Sequence, residues 1–262
     1  MILPTMTPKE KHAQMLRLKD AILGYTQTKT QNPDFFTRFR RVKVFPSFFT
    51  EEHEFPGMGK WTIIYEAESK SYIKKGVICI RAYQKFHVSY AKNPLNIGTG
   101  IYLMNADDYG SVQCQEFPPH YFNRLRERLI EPKGIVQPDF PQLVKAMLRL
   151  HHSSMDVVVN GFIMKKGEDG MYSLERDHKV DKKEGYDNLI SYHRDGISLG
   201  VSAENKGYMN FTTFVPNSLL REGQVEMQQR MMKDIGEHEL NQRYNPFATH
   251  DRREWMGMDE DF

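Results

Sequence analysis

The chain has 262 residues, 39% hydrophobic and 12% aromatic, enough apolar material to fill a buried core. Thirty-six Lys and Arg stand against 34 Asp and Glu, so no global field would hold nucleic acid or an anionic membrane by charge alone, and any anion site must be local. Cys79 and Cys114 lie far apart in apolar runs without metal-ligand spacing and read as buried free thiols. The start MILPTMTPKEKH lacks an unbroken apolar stretch and no window approaches a membrane span, so a cytoplasmic location and no membrane partner are expected.

In chain order, Thr7 followed by Pro8 supplies an N-cap and first-turn proline for a helix over residues 8 to 24, with Met15, Leu16, Leu18, Ile22 and Leu23 between charged residues and Gly24 as its end. Residues 25 to 59 contain Asn32-Pro33, Phe45-Pro46 and Phe55-Pro56, with many Phe and no clean period. They read as irregular chain packed on a core. Between Lys60 and Phe117, short runs of β-branched and aromatic residues (61–65, 77–83, 86–90, 101–104 and 112–115) predict a meander of five strands.

Pro118-Pro119 then opens a helix over 118–131, and Pro138-Asp139 a second over roughly 140–152 with Leu143, Val144, Met147, Leu148 and Leu150 on its apolar side. Strand patterns return at 157–164, 171–174, 189–193, 197–201 and 208–215, with an Asp195-Gly196 hairpin signal. Residues 218–234 read as a Met- and Gln-rich helix, and 236–262 as a polar tail expected to be mobile or partner-dependent. The expected fold is α+β, with two mainly antiparallel β-meanders and helices at the N-terminus, in the middle and near the C-terminus. The segments 1–24, 25–117, 118–235 and 236–262 are expected to make one composite domain, with a split near residue 117 as the alternative.

The helix after Pro119 carries the most site-like residues. At about 100° per residue, His120 at zero places Arg124 near ~40°, Glu127 near ~340° and Arg128 near ~80°, while Phe122, Leu125 and Leu129 fall between ~140° and ~200°. A packed stripe thus runs beside a His/Arg/Glu/Arg stripe. Arg forks suit phosphate oxygens and His titrates near neutrality, a pairing that fits acid–base work on a phosphodiester. The same residues also make an ordinary solvated face with local ion pairs.

The run His120-Tyr121-Phe122-Asn123-Arg124-Leu125-Arg126-Glu127-Arg128, followed by a second helix and strands, resembles the H-x-x-x-R-x-x-x-R helix of the RelE-like and barnase-like metal-independent ribonuclease toxin superfamily, over about residues 116 to 220. The resemblance implies RNA cleavage through its own 2′-hydroxyl, with His120, Arg124 and Arg128 at the matching positions. Residues 1–115 and the near-zero net charge depart from that small, basic superfamily. Strand alternation adds His193, on one face with Ser191, and Thr213, in line with Met209 and Phe211, as residues that could converge on the helix. Hairpin-turn chemistry for His193 and β propensity for Thr213 are the more ordinary explanations of these residues.

His151-His152 close a helix, where the dipole favours them; adjacent histidines diverge, and no carboxylate spacing completes a metal site. No phosphate-binding glycine loop or nucleophile elbow is present, and no cofactor is expected. Arg38, Arg40, Arg41 and Lys43 among Phe35, Phe36, Phe39 and Phe45 could track phosphates and stack bases, although such Phe residues commonly serve as core. The leading expectation is a non-enzymatic accessory or protein-interaction protein with an unidentified protein partner. The alternatives are a metal-independent RNA-cleaving toxin-like protein and, after it, a nucleic-acid-binding module with RNA as partner.

Overall fold

The computed structural model describes residues 1–244 except 40, 91–92, 107–111, 136, 153, 160–161, 177–184 and 204–206. The first helix, α1 (Pro8–Thr30), is capped by a Thr7/Glu10 capping box. It does not end at Gly24. Its buried residues Lys11, Met15, Leu18, Ile22 and Thr26 keep the helical spacing beyond the glycine, and the Thr26 hydroxyl donates to the Ile22 carbonyl at 2.8 Å. A stripe with a surface to cover overrides one unfavourable residue.

A 3-10 segment (Pro33–Phe39) leads to β1 (Ser47–Phe55), which pairs antiparallel with β2 (Gly59–Ala67). Strand β1 lies inside the stretch expected to be irregular. Its Glu51, Glu52 and Glu54 lower strand propensity, yet β2 supplies a ladder and alternate side chains point outward. After the short helix α2 (Lys70–Lys74), the runs 77–83 and 86–90 form one strand, β3 (Cys79–Tyr90). Gln84 does not break it, because its Oε1 accepts the Ile2 N–H at 2.9 Å inside the fold. Strands β4 (Asn93–Asn105) and β5 (Cys114–Phe117) follow, so the described residues of 60–117 hold four strands rather than five. Cys114 is buried; Cys79 is half-buried, with its Sγ 3.4 Å from Glu68 Oε1.

Helices α3 (Pro119–Leu125) and α4 (Phe140–His152) precede β6 (Met155–Val158), the separate β7–β8 ribbon (Phe162–Lys166 and Tyr172–Arg176), β9 (Asp187–His193), β10 (Gly196–Ala203) and β11 (Tyr208–Pro216). The last helix, α5 (Glu222–Tyr244), takes in 236–244, the start of the expected tail. Residues 245–262 of that tail lie outside the described residues. No helix among the described residues is long and apolar enough to cross a membrane.

The two expected meanders are one sheet, ordered β1-β2-β3-β4-β5-β11-β10-β9-β6. Every neighbouring pair is antiparallel except β5–β11, where Tyr208, Met209 and Asn210 run parallel to Cys114, Gln115 and Glu116. The sheet therefore runs across residue 117, joining strands from both sides of it. One face carries α1 over Trp61, Ile63, Tyr65, Tyr102 and Tyr208, and at its far end α5 packs Met227 near Tyr192 and Ile197. The other face carries α3 and α4 over Ile64, Leu103, Phe117, Met209, Phe211 and Phe214. The sheet thus lies between helices on both faces, with three apolar clusters among the described residues.

Candidate functional site

The backbone of α3 departs from ideal geometry where the candidate stripe needs it most. After Leu125 the chain makes a π turn, Arg126–Ile130, then a 3-10 turn, Glu131–Lys133. Leu125 and Ile130, five residues apart, are both buried, whereas Leu129 is only half-buried. The five-residue spacing is the i→i+5 repeat of a π turn, so an angular phase of 100° per residue holds only to Leu125. Beyond it, Arg128 leaves the line of His120 and Arg124: its Nη1 donates to the Phe214 carbonyl of β11 at 2.7 Å. Arg124 pairs with Glu127 at 3.0 Å on an exposed stretch, and His120 is exposed.

The sheet candidates separate as well. His193 is fully buried beneath α3 and α4, while Thr213 turns to the opposite face. The cause is a β-bulge between Leu199 and Gly200: Leu199 pairs with Thr213 but Gly200 with Phe211, leaving Thr212 as an extra residue. Simple alternation along β11 fails at that point. His120, Arg124, Arg128, His193 and Thr213 do not form one concave surface.

What His193 joins is a buried polar chain with partners that sequence reasoning did not assemble. Its Nδ1 lies 3.0 Å from the Leu150 carbonyl and its Nε2 2.8 Å from Ser198 Oγ. Tyr121 Oη lies 3.0 Å from Ser198 Oγ and 3.0 Å from His151 Nε2. Burial holds His193 down at about 3, and burial, then His193 and Arg81, hold His151 well below the usual histidine range. With both rings neutral the donors run one way: His151 Nε2–H to Tyr121, Tyr121 O–H to Ser198, Ser198 O–H to His193 Nε2, and His193 Nδ1–H to Leu150. The Ser198–His193 distance is that of a nucleophile and its base, but Tyr121, His193 and Ser198 are each fully buried. A substrate carbonyl has no approach to Ser198. The chain instead ties α3, the end of α4, β9 and β10 together, and Gln228 of α5 donates to the His193 carbonyl at 2.6 Å.

A second polar group adjoins it. The fully buried Glu66 lies 2.7 Å from His152 Nδ1 and 2.8 Å from Arg81 Nε; the Arg81 contact is an ion pair whose N–H is not directed at the oxygen. His151 and His152 thus diverge, one toward Tyr121 and one toward Glu66. On the other face, buried Lys11 pairs with Glu116 at 2.6 Å, and Tyr208 O–H donates to Glu116 at 2.8 Å. Alternation could have placed Ser198 with His193 across the Asp195-Gly196 hairpin; no local signal joins Lys11 to Glu116, 105 residues away. No group of three or more His, Cys, Asp or Glu able to hold a metal occurs among the described residues.

The remaining polar candidates lie on the surface. Arg38, Arg41 and Lys43 are exposed, with the Arg38 guanidinium 4.3 Å from the centre of the Phe49 ring; Arg40 lies outside the described residues. Phe35 and Phe39 are core, and Phe36 and Phe45 are half-buried. A groove of about 290 Å³ lies between β1 and α4, with Thr50, Glu52, Thr62, Tyr83, Val144 and Lys145 among its walls. Comparison of the chain with protein-family models, curated proteins and solved structures gives no match.

Proposed function

We propose that this is a non-enzymatic accessory protein that works by binding a protein partner, with the outer edge of β1 as a contact surface. The observation that carries the reading is the disposition of the groups that catalysis would need: Arg128 holds a backbone carbonyl, His193 and Ser198 are sealed under two helices, and Thr213 faces away. A ribonuclease needs its base and its phosphate-binding arginines around one reacting phosphorus. β1 supports the binding half of the reading. It is nine residues long and ends the sheet, so its outward backbone groups have no strand beside them among the described residues.

Purified protein incubated with single-stranded and structured RNA in EDTA should leave both intact. Cleavage that disappears in His120→Ala would overturn the reading. In cells, a photo-crosslinking residue at exposed Glu52 or Glu54 of β1 should give a discrete adduct that the same residue at exposed Arg17 of α1 does not. Adducts from neither β1 position would remove β1 as the contact surface.

A further inference from the structure

Two basic segments far apart in sequence meet at one end of the sheet. Pairing of Ser47 with Ala67 sets the chain that enters β1 beside the chain that leaves β2. The Phe36 ring comes within 3.9 Å of the Cβ position at Gly76, so the 3-10 segment and the end of α2 touch. Arg38, Arg41 and Lys43 come from the first segment, and Lys70, Lys74 and Lys75 from the second; all six are exposed. None of the six forms an ion pair with a described residue. Nearby acids are few: Asp34 is exposed, half-buried Glu51 is paired with Lys29, and half-buried Glu68 accepts from Cys79. A chain with a net charge of +2 therefore concentrates unpaired positive charge at one end of its sheet.

We propose that this face binds the phosphate backbone of single-stranded RNA without sequence preference. Exposed Arg38 has its guanidinium 4.3 Å from the centre of the Phe49 ring, a contact that restrains the side chain before any phosphate arrives. Half-buried Phe36 and Phe45 and exposed Val44 and Val77 flank the cations with apolar surface for bases and sugars. Cations along a track with ring faces beside them are the pattern of sequence-tolerant single-strand binding. A lipid surface would favour protruding large apolar side chains, whereas the rings here are held half inside the core. The inference stands apart from the β1 contact, since it rests on other residues and another class of partner.

The test is fluorescence anisotropy of the full chain with a labelled uridine oligonucleotide at 50 and 200 mM salt. Binding at low salt should weaken steeply with salt, since a single strand loses about 0.7 in log–log slope per phosphate neutralised. Lys74→Glu with Lys75→Glu, and separately Arg41→Glu with Lys43→Glu, should each reduce affinity at least about tenfold. Lys145→Glu with Arg149→Glu makes the same charge change on α4, across the sheet, and should leave affinity within about threefold. Near-UV circular dichroism of each variant confirms the fold, as all these side chains are exposed. The proposal is overturned by absence of RNA binding at 50 mM salt, by an α2 pair no more harmful than the α4 pair, or by retention on phosphatidylserine vesicles that RNA does not compete away.

Discussion

His193 and His151 stay neutral because a charge inside the α3–α4 core would lose its water without gaining a carboxylate, and this has a direct consequence for pH. In the unfolded chain both rings take up protons near 6.5; in the folded chain His193 does so only near 3. The unfolded state therefore binds more protons between those values, and stability is full above 6.5 and falls as pH drops toward 3. His193 alone contributes about 1.4 kcal/mol of loss per pH unit in that window, and His151, also held down by burial, adds in the same direction. Urea titrations at pH 6.5 and 4.5 should show this, and His193→Gln should flatten the slope by about that amount per unit. Tyr121→Phe removes the hydroxyl joining His151 to Ser198 and should cost about 1–3 kcal/mol at pH 7, read from the same titrations. An unchanged midpoint would mean that the chain is held without Tyr121.

At the scale of elements, the two irregularities that scattered the candidate residues are load points. The π turn aims Arg128 at the Phe214 carbonyl, and Arg128→Met should lower stability by about 1.5–3 kcal/mol, the range for a hydrogen bond to a charged group. At the bulge, a side chain on Gly200 would collide with the Asn210 carbonyl, so Gly200→Val should destabilise more than Gly24→Val, where the Cβ position is open. Thermal midpoints of the two variants give the comparison.

The same irregularities mark how far the sequence could be read. Amphipathic and alternating segments were legible: α4 matches its expected span, and the strands at 189–193, 197–201 and 208–215 appear where turn signals bound them. Features set by distant partners were not. β1 depends on β2, the continuity of β3 on the Ile2 backbone, and the length of α1 on the sheet beneath Thr26. Of the candidate site, the histidine of β9 was correctly placed on the face with Ser191. Its real partners, Tyr121, His151 and Ser198, come from three other elements, and a one-residue bulge reversed Thr213. A period assumed constant is reliable until one residue is inserted into it.

For the whole molecule, the decisive junction is β5–β11, the one parallel pairing in the sheet, where three residue pairs join the strands before α3 to those after α4. Apolar residues from both sides fill a single core, with Ile64 and Leu103 from one and Phe211 and Phe214 from the other. The two parts should therefore unfold together. In a Trp255→Phe variant, Trp61 fluorescence, which then reports on β2 alone, and far-ultraviolet circular dichroism, which reports on all elements, should give coincident urea transitions. Separate midpoints would show that the halves are independent.

That junction also sets a timetable for a chain emerging from the ribosome. Tyr208, which opens β11, follows Phe117 at the end of β5 by 91 positions. At about 5–20 residues per second, the edge of β5 waits roughly 5–18 s for its neighbour to be synthesised. During that interval the edge of β5 that β11 will cover stays unpaired, although α3 and α4, made first, can already cover Leu103 and Phe117. Nascent chains stalled before residue 208 should accordingly recruit chaperones that the finished protein sheds.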